Sequence, residues 1–253
     1  MYYYFVAGYL AFLFLITSLV CLPIACLLRV ATGLFDRRLA ILHMFSCFWG
    51  SCYTWLNPLW HVTVTGREHV DRGKACVMVS NHQSMVDILI IYRIFLHFKW
   101  VAKASLFRVP IIGWNMWLNR YVKLDRNRMR SRRKMIRQCG ENLRAGSSVM
   151  IFPEGTRSRT GELKKFKEGA FWVALQQKAD IVPMVIDGSA EALPEKGIIP
   201  RTKQNVCLHI LPQVSYDAFK DMTVREVAEY IHRLIADELN SIRKSLSNKE
   251  KSR

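Results

Sequence analysis

The chain has 253 residues, 51% of them apolar and 23% charged, with a net charge of +17. That length supports one large folded domain with an appendage, and the apolar fraction excludes both a disordered chain and one that lies wholly in a membrane. A positive excess of this size suits nucleic acid, anionic lipid or an acidic substrate, and only its distribution can choose among them.

From Tyr2 to Leu28 the chain runs 27 residues without a charge, long enough to cross a hydrocarbon core as a tilted helix. A cleaved signal peptide would open on a basic segment, yet no Lys or Arg precedes Arg29. Pro23 is expected to kink or shorten this helix, which leaves a re-entrant or interfacial course open. Arg29, Arg37 and Arg38 follow and favour the cytoplasmic side for the rest of the chain. Leu39 to Thr65 is lightly charged and rich in aromatic residues, as suits a helix at headgroup level or one packed back on the first. Residues 1–60 are therefore expected to form a membrane-anchoring helical pair rather than two complete spans. The seven cysteines show no Cys-x2-Cys pair and no Cys/His cluster at ligand spacing. They read as small apolar side chains in a reducing compartment, and no metal is expected.

Beyond this arm, short apolar runs alternate with helical patterns. Strands are expected at His61–Thr65, Cys76–Val79, Phe98–Ala102, Tyr121–Leu124, Ser148–Phe152, Ile181–Ile186 and Val206–Ile210. Helices are expected from Ser84 to Phe95, Trp114 to Leu118, Met129 to Arg144, Gly169 to Gln177 and Val224 to Leu239. This alternation predicts an α/β domain over 61–240 with a mainly parallel central sheet flanked by helices. The tail, 241–253, is basic and polar and is expected to fray. Between Arg120 and Arg137 there are nine Lys or Arg against one Asp. No helix-turn-helix, finger or aromatic RNA-reading signature accompanies them. A solvated helix face and a surface for anionic lipid or a polyanionic cosubstrate both fit, and no nucleic-acid partner is expected.

In such sheets ligands sit beyond the carboxyl ends of the strands, and His82, Lys103, Glu154 and Ser189 all fall at or just past expected strand ends. His82 precedes Asp87 by five residues. On one continuous helix the two side chains would diverge by about 140°, whereas a turn at 82 leading into a helix lets them meet. An Asp held on one imidazole nitrogen would leave the other free to accept a proton from an alcohol. The same residues, Ser84-Met85-Val86-Asp87, also fit an ordinary helix start with Ser84 as N-cap and Asp87 near the third position.

Two segments in order, Asn81-His82-Gln83-Ser84-Met85-Val86-Asp87 and Phe152-Pro153-Glu154-Gly155-Thr156-Arg157-Ser158, strongly resemble the glycerolipid acyltransferases of the PlsC type, the 1-acyl-sn-glycerol-3-phosphate acyltransferases. Lys103-Ala104-Ser105-Leu106 through Pro110 and Gly113 resembles that family's second block, and Ile181–Ile186 with Gly188-Ser189 its fourth. The resemblance covers roughly 62 to 215. It implies transfer of an acyl group from acyl-CoA or acyl carrier protein to the 2-hydroxyl of lysophosphatidic acid, giving phosphatidic acid, with no cofactor beyond the acyl thioester. Glycerol 3-phosphate or another lysolipid, such as a lyso-ornithine lipid, is the alternative acceptor. His82 is then the general base and Asp87 its partner. Lys103, Glu154, Gly155, Thr156 and Arg157 are implied to bind substrate. Arg157 and then Lys103 are the first choices for the phosphate, and Glu154 is expected to position Arg157 or the glycerol hydroxyls. Backbone N–H groups near Gly155 or the 83–84 turn are expected to hold the oxyanion. The expected setting is a membrane bearing anionic lipids, in a bacterium the inner one, with the catalytic domain on the cytoplasmic side.

Overall fold

The computed structural model describes residues 1–158, 161–193 and 203–251, with side chains up to 245. Arg159 and Thr160 of the expected loop, and the last two residues of the tail, lie outside the described residues.

Helix α1 (Tyr2–Ala31) continues unbroken through Pro23, so the expected shortening does not occur. At about 1.5 Å per residue its 30 residues reach some 45 Å. Only Val6, Ser18, Cys21 and Ala25 are buried; much of the remaining apolar surface faces outward. Helix α2 (Ala40–Trp55) folds back on it. The pair is tied by Thr17 Oγ1 to Tyr53 Oη at 2.6 Å, and the Tyr9 hydroxyl donates to Leu56 O at 3.2 Å. The expected helical pair is present, but α2 is also built into the globular domain. Its His43 is wholly buried, with Nδ1 2.8 Å from Tyr121 Oη and Nε2 3.0 Å from Leu96 O. Burial holds that imidazole well below its usual pKa, and the nearby His97 and Lys99 push the same way. Cys47 of the same helix lies in the main core cluster.

The domain alternates strand and helix through β1 (Trp60–Thr65), β2 (Val77–Ser80), α3 (Val86–Tyr92), β3 (Phe98–Lys103), α4 (Ile112–Leu118), β4 (Val122–Leu124), α5 (Met129–Arg144) and β5 (Ser148–Ile151). It continues through α6 (Gly169–Gln177), β6 (Ile181–Asp187), α7 (Ser189–Ala192), β7 (Gln204–Ile210) and α8 (Val224–Lys251). The seven strands form one sheet in the order β1-β7-β6-β2-β5-β3-β4. All neighbours are parallel except β6 and β7. That pair is consecutive and runs antiparallel, so it needs no helical crossover. The central strands β2, β5 and β6 are apolar along almost their whole length and buried on both faces, the pattern required when helices cover both sides of a parallel sheet. One core packs α2 and α3 on one face; the other packs α5, α6 and α8.

Two local expectations change. Ser84 is not the N-cap of α3: Met85 occupies that position, and the Asp87 carboxylate reaches back over the turn instead. Nor does the chain fray after Asn240, because α8 runs on to Lys251. Its apolar stripe keeps Ile231, Ile235 and Leu239 in the core, and Arg243 lands on a structural contact described below.

Candidate active site

The strands β6, β2, β5 and β3 are adjacent and mutually parallel, so their carboxyl ends share one rim. Ser189, His82 and Glu154 follow the ends of β6, β2 and β5, and Lys103 is the last residue of β3. The turn after β2 is pinned by Asn81, which is buried and grips the backbone of β6: its amide donates to Ile186 O at 2.7 Å and its oxygen accepts from Ile186 N at 2.8 Å.

This anchor delivers His82 with Nδ1 2.7 Å from Asp87 Oδ2. The same carboxylate oxygen accepts the backbone N–H groups of Gln83 at 2.7 Å and Ser84 at 2.9 Å. Asp87 is fully buried, so it is held by three donors that fix it and thereby fix the imidazole. Phe152 stacks on the His82 ring, with centroids 3.9 Å apart and planes 10° from parallel. With Nδ1 donating to a carboxylate, Nε2 is left as the acceptor. The helix start thus falls at Met85 rather than Ser84, and Asp87 in its first turn holds the imidazole.

Glu154 does not pair with Arg157. It is buried, and its carboxylate accepts the His82 backbone N–H at 2.8 Å and the Lys164 N–H at 3.3 Å. A second tie runs between the same segments, since Ser158 N donates to His82 O at 2.7 Å. Glu154 therefore holds His82 through its backbone. Burial pushes its carboxyl up from 4.5 to about 7, against the two N–H groups that hold it down. A raised folded-state value means that folding takes up a proton, so this contribution to stability is present in acid and lost as pH rises through about 7. Thermal melts of the wild type should show this loss between pH 4.5 and 7. In Glu154→Gln that component should be flat, on a background lowered by about 1–3 kcal/mol for the N–H that loses its acceptor. An unchanged pH profile would exclude Glu154 as its source.

The expected oxyanion donors are already engaged. The N–H groups at 83 and 84 serve Asp87, and Gly155 N donates to Phe152 O at 3.1 Å. Gly155 has φ +75°, and a Cβ there would stand 2.9 Å from Lys167 Nζ, so the glycine admits that ammonium to the rim.

His82 opens into a cavity of about 1660 Å³. Much of its lining is apolar, including α1 residues such as Tyr4 and Phe14, α2 residues such as Trp49, and Met85 and Leu89. Lys103, Arg126, Arg132 and Lys167 also line it, as does Glu168. Lys103 and Gly155 are thus where the sequence suggested. Thr156 and Arg157 are exposed and lie outside the wall, and Lys164 Nζ contacts both, donating to Arg157 O at 2.6 Å and reaching Thr156 Oγ1 at 3.5 Å. The sequence reading missed Arg126, Arg132 and Lys167 as individual residues. For Arg126 and Arg132 the dense basic run was the available signal, but charge density alone does not say which side chains line a cavity; Lys167 lies outside that run. Arg126 is distinctive: its Nε is buried with no hydrogen-bond partner, and desolvation lowers its pKa.

A family model described as "Acyltransferase" matches residues 61–187, half of the chain. The chain belongs to the acyltransferase family. The 1-acyl-sn-glycerol-3-phosphate acyltransferase of Chlamydomonas reinhardtii is 39% identical over 159 residues, which is 62% of this chain and 47% of that one. The enzyme of that name from Saccharomyces cerevisiae is 36% identical over 186 residues, covering 72% and 60%. The one from Borreliella burgdorferi is 28% identical over 207 residues, 81% of each chain. The chain spans about half the length of the Chlamydomonas enzyme and of the curated relatives of the same name from Brassica napus and Arabidopsis thaliana. A crystal structure of the 1-acyl-sn-glycerophosphate (LPA) acyltransferase PlsC from Thermotoga maritima has the same fold, with TM-score 0.69 at 21% identity over 90% of this chain and 95% of that one.

In this acyltransferase the C-terminal helix reaches the rim. Arg243 of α8 donates from Nε to Asp187 Oδ1 at 3.1 Å and from Nη2 to Gly161 O at 2.8 Å. Gly161 O also accepts from Gln83 Nε2 at 3.4 Å, and Gln83 Oε1 accepts from Ser189 Oγ at 3.4 Å. Helix α8, the end of β6, the segment after Arg157 and the neighbour of His82 are thereby linked. Arg243→Ala should lower kcat roughly tenfold by loosening this alignment, with KM for the donor little changed and Arg243→Lys intermediate. Steady-state kinetics decide it: an unchanged kcat would confine Arg243 to the surface.

Proposed function

We propose that this acyltransferase moves a fatty acyl group from an acyl thioester, acyl-CoA or acyl carrier protein, to the sn-2 hydroxyl of 1-acyl-sn-glycerol 3-phosphate, giving phosphatidic acid. The observation that carries this reading is the His82–Asp87 pair at a cavity lined by many apolar side chains together with Lys103, Arg126, Arg132 and Lys167. A lysolipid phosphate matches both kinds of lining. The names of the relatives and the acyltransferase family match support the same reaction.

His82 Nε2 accepts the hydroxyl proton as the alcohol oxygen attacks the thioester carbonyl carbon. The ester C–O bond forms, the C–S bond breaks, and the imidazolium returns the proton to the departing thiolate. Asp87 holds the ring and supports its transient charge. No covalent enzyme intermediate is required. Lys103, Arg126, Arg132 and Lys167 take the phosphate groups, with exposed Arg157 approaching from the rim. With the neighbouring N–H groups engaged, the oxyanion is left to the cations of the wall. The apolar α1 supports attachment to a membrane, and Arg29, Arg37 and Arg38 support the cytoplasmic face, in a bacterium that of the inner membrane.

The test crosses donors with acceptors on the purified protein: acyl-CoA and acyl carrier protein against lysophosphatidic acid, glycerol 3-phosphate and a phosphate-free lysolipid. Phosphatidic acid is the expected product. Transfer to another acceptor alone would reassign the substrate, and no transfer from either donor would remove the reaction.

A further inference from the structure

A second groove lies apart from the catalytic cavity and shares no lining residue with it. It measures about 430 Å³ and runs between α1 and α4, with Leu22 and Cys26 on one side and Trp114 and Trp117 on the other. Arg29 and Arg120 complete it. Residues 22, 26 and 29 share one face of α1 at helical spacing. Both arginines thus line the same small groove, and both bear electrostatically on the buried Lys99, lowering its pKa after desolvation and against Asp36. Lys99 itself is committed, donating to Arg38 O at 2.7 Å and Asn119 O at 2.9 Å. One oxygen of the Asp36 carboxylate accepts the Ile41 N–H at 2.8 Å at the start of α2. Among the described residues neither Arg29 nor Arg120 forms an ion pair.

The groove therefore joins an apolar lining to two guanidiniums. Trp114 and Trp117 are more than half exposed, as are Leu19, Val20, Leu27 and Val30 of α1. Such a surface is satisfied by hydrocarbon, with tryptophan at the headgroup level and arginine at the phosphates. We propose that the α1–α4 groove is a binding site for one anionic membrane phospholipid, its phosphate between Arg29 and Arg120 and an acyl chain along Leu22 and Cys26. Two guanidiniums without an acidic partner favour an anionic headgroup over a neutral one. The adjoining exposed face of α1 favours a lipid over a soluble phosphate. The site does not depend on which acceptor the cavity acylates.

The experiment compares the full chain with Arg29→Ala/Arg120→Ala, with Leu22→Trp, and with Arg130→Ala/Arg133→Ala. The last pair removes the same charge from the exposed start of α5. Each protein is equilibrated with phosphatidylcholine vesicles containing phosphatidylglycerol, extracted in mild detergent and weighed by native mass spectrometry. Binding to the vesicles is followed by flotation. The wild type and the α5 variant should retain one phosphatidylglycerol. The groove double variant should lose it, by about tenfold in occupancy or more for two phosphate contacts. Leu22→Trp, which fills the groove and changes no charge, should also lose the retained lipid while still floating with the vesicles. Equal loss from both double variants would mean a diffuse response to net charge and would overturn the site. Retention by Leu22→Trp, or displacement of the wild-type lipid by inorganic phosphate, would overturn it as well.

Discussion

Replacing His82 with Ala is expected to lower acyl transfer to lysophosphatidic acid by at least about 100-fold, the usual scale for a lost general base. Membrane association should be unchanged, because α1 and its exposed apolar face lie outside this contact. Asp87→Asn is the informative companion. The carboxylate accepts from the ring and from two backbone N–H groups at one oxygen, and Asn retains an oxygen that can accept at least one of them. The turn should therefore persist while the imidazole loses its charged partner and its preferred tautomer. Transfer should fall with little change in the far-ultraviolet dichroism or the melting temperature. Initial rates for each variant in the same membrane fraction settle the matter: His82→Ala within tenfold of the wild type would take the proton transfer away from this residue.

Much of the architecture was legible because the strands are buried on both faces and punctuated sharply. Val77–Ser80, Ser148–Ile151 and Ile181–Asp187 were found almost to the residue from apolar runs ended by polar or glycine-bearing turns. The dyad was legible because a strand end followed by a helix start brings positions 82 and 87 together. What failed required long-range information. The sequence suggests that Glu154 positions Arg157 or the glycerol hydroxyls, yet its oxygens meet N–H groups at 82 and 164. Pro23 did not shorten α1, since a proline ring removes one backbone donor but packing on α2 and α4 can hold the helix together around it. The tail beyond Asn240 looked like solvent-facing polar chain, and only the fold brings Arg243 to Asp187 and Gly161. In each case a local pattern was outweighed by a tertiary contact.

Arg126→Ala should have the next largest effect, and its direction separates binding from folding. A guanidinium whose Nε is buried without an acceptor, with a pKa already lowered by desolvation, destabilises the empty protein. Such a group is useful where an anion arrives to complete it. Removing it should cost one charge-assisted bond, about 1.5–3 kcal/mol, or roughly 10- to 100-fold in kcat/KM for lysophosphatidic acid. The melting temperature should hold or rise, because no hydrogen bond of the Arg126 side chain is lost among the described residues. Exposed Arg157 lies outside the cavity wall, so Arg157→Ala should cost less than Arg126→Ala with the same substrate. Comparing both variants on lysophosphatidic acid and on a phosphate-free lysolipid isolates the phosphate: Arg126→Ala should matter only for the first. Equal losses on the two acceptors would instead make Arg126 a structural or donor-binding group, and the acceptor phosphate would then fall to Lys103, Arg132 and Lys167.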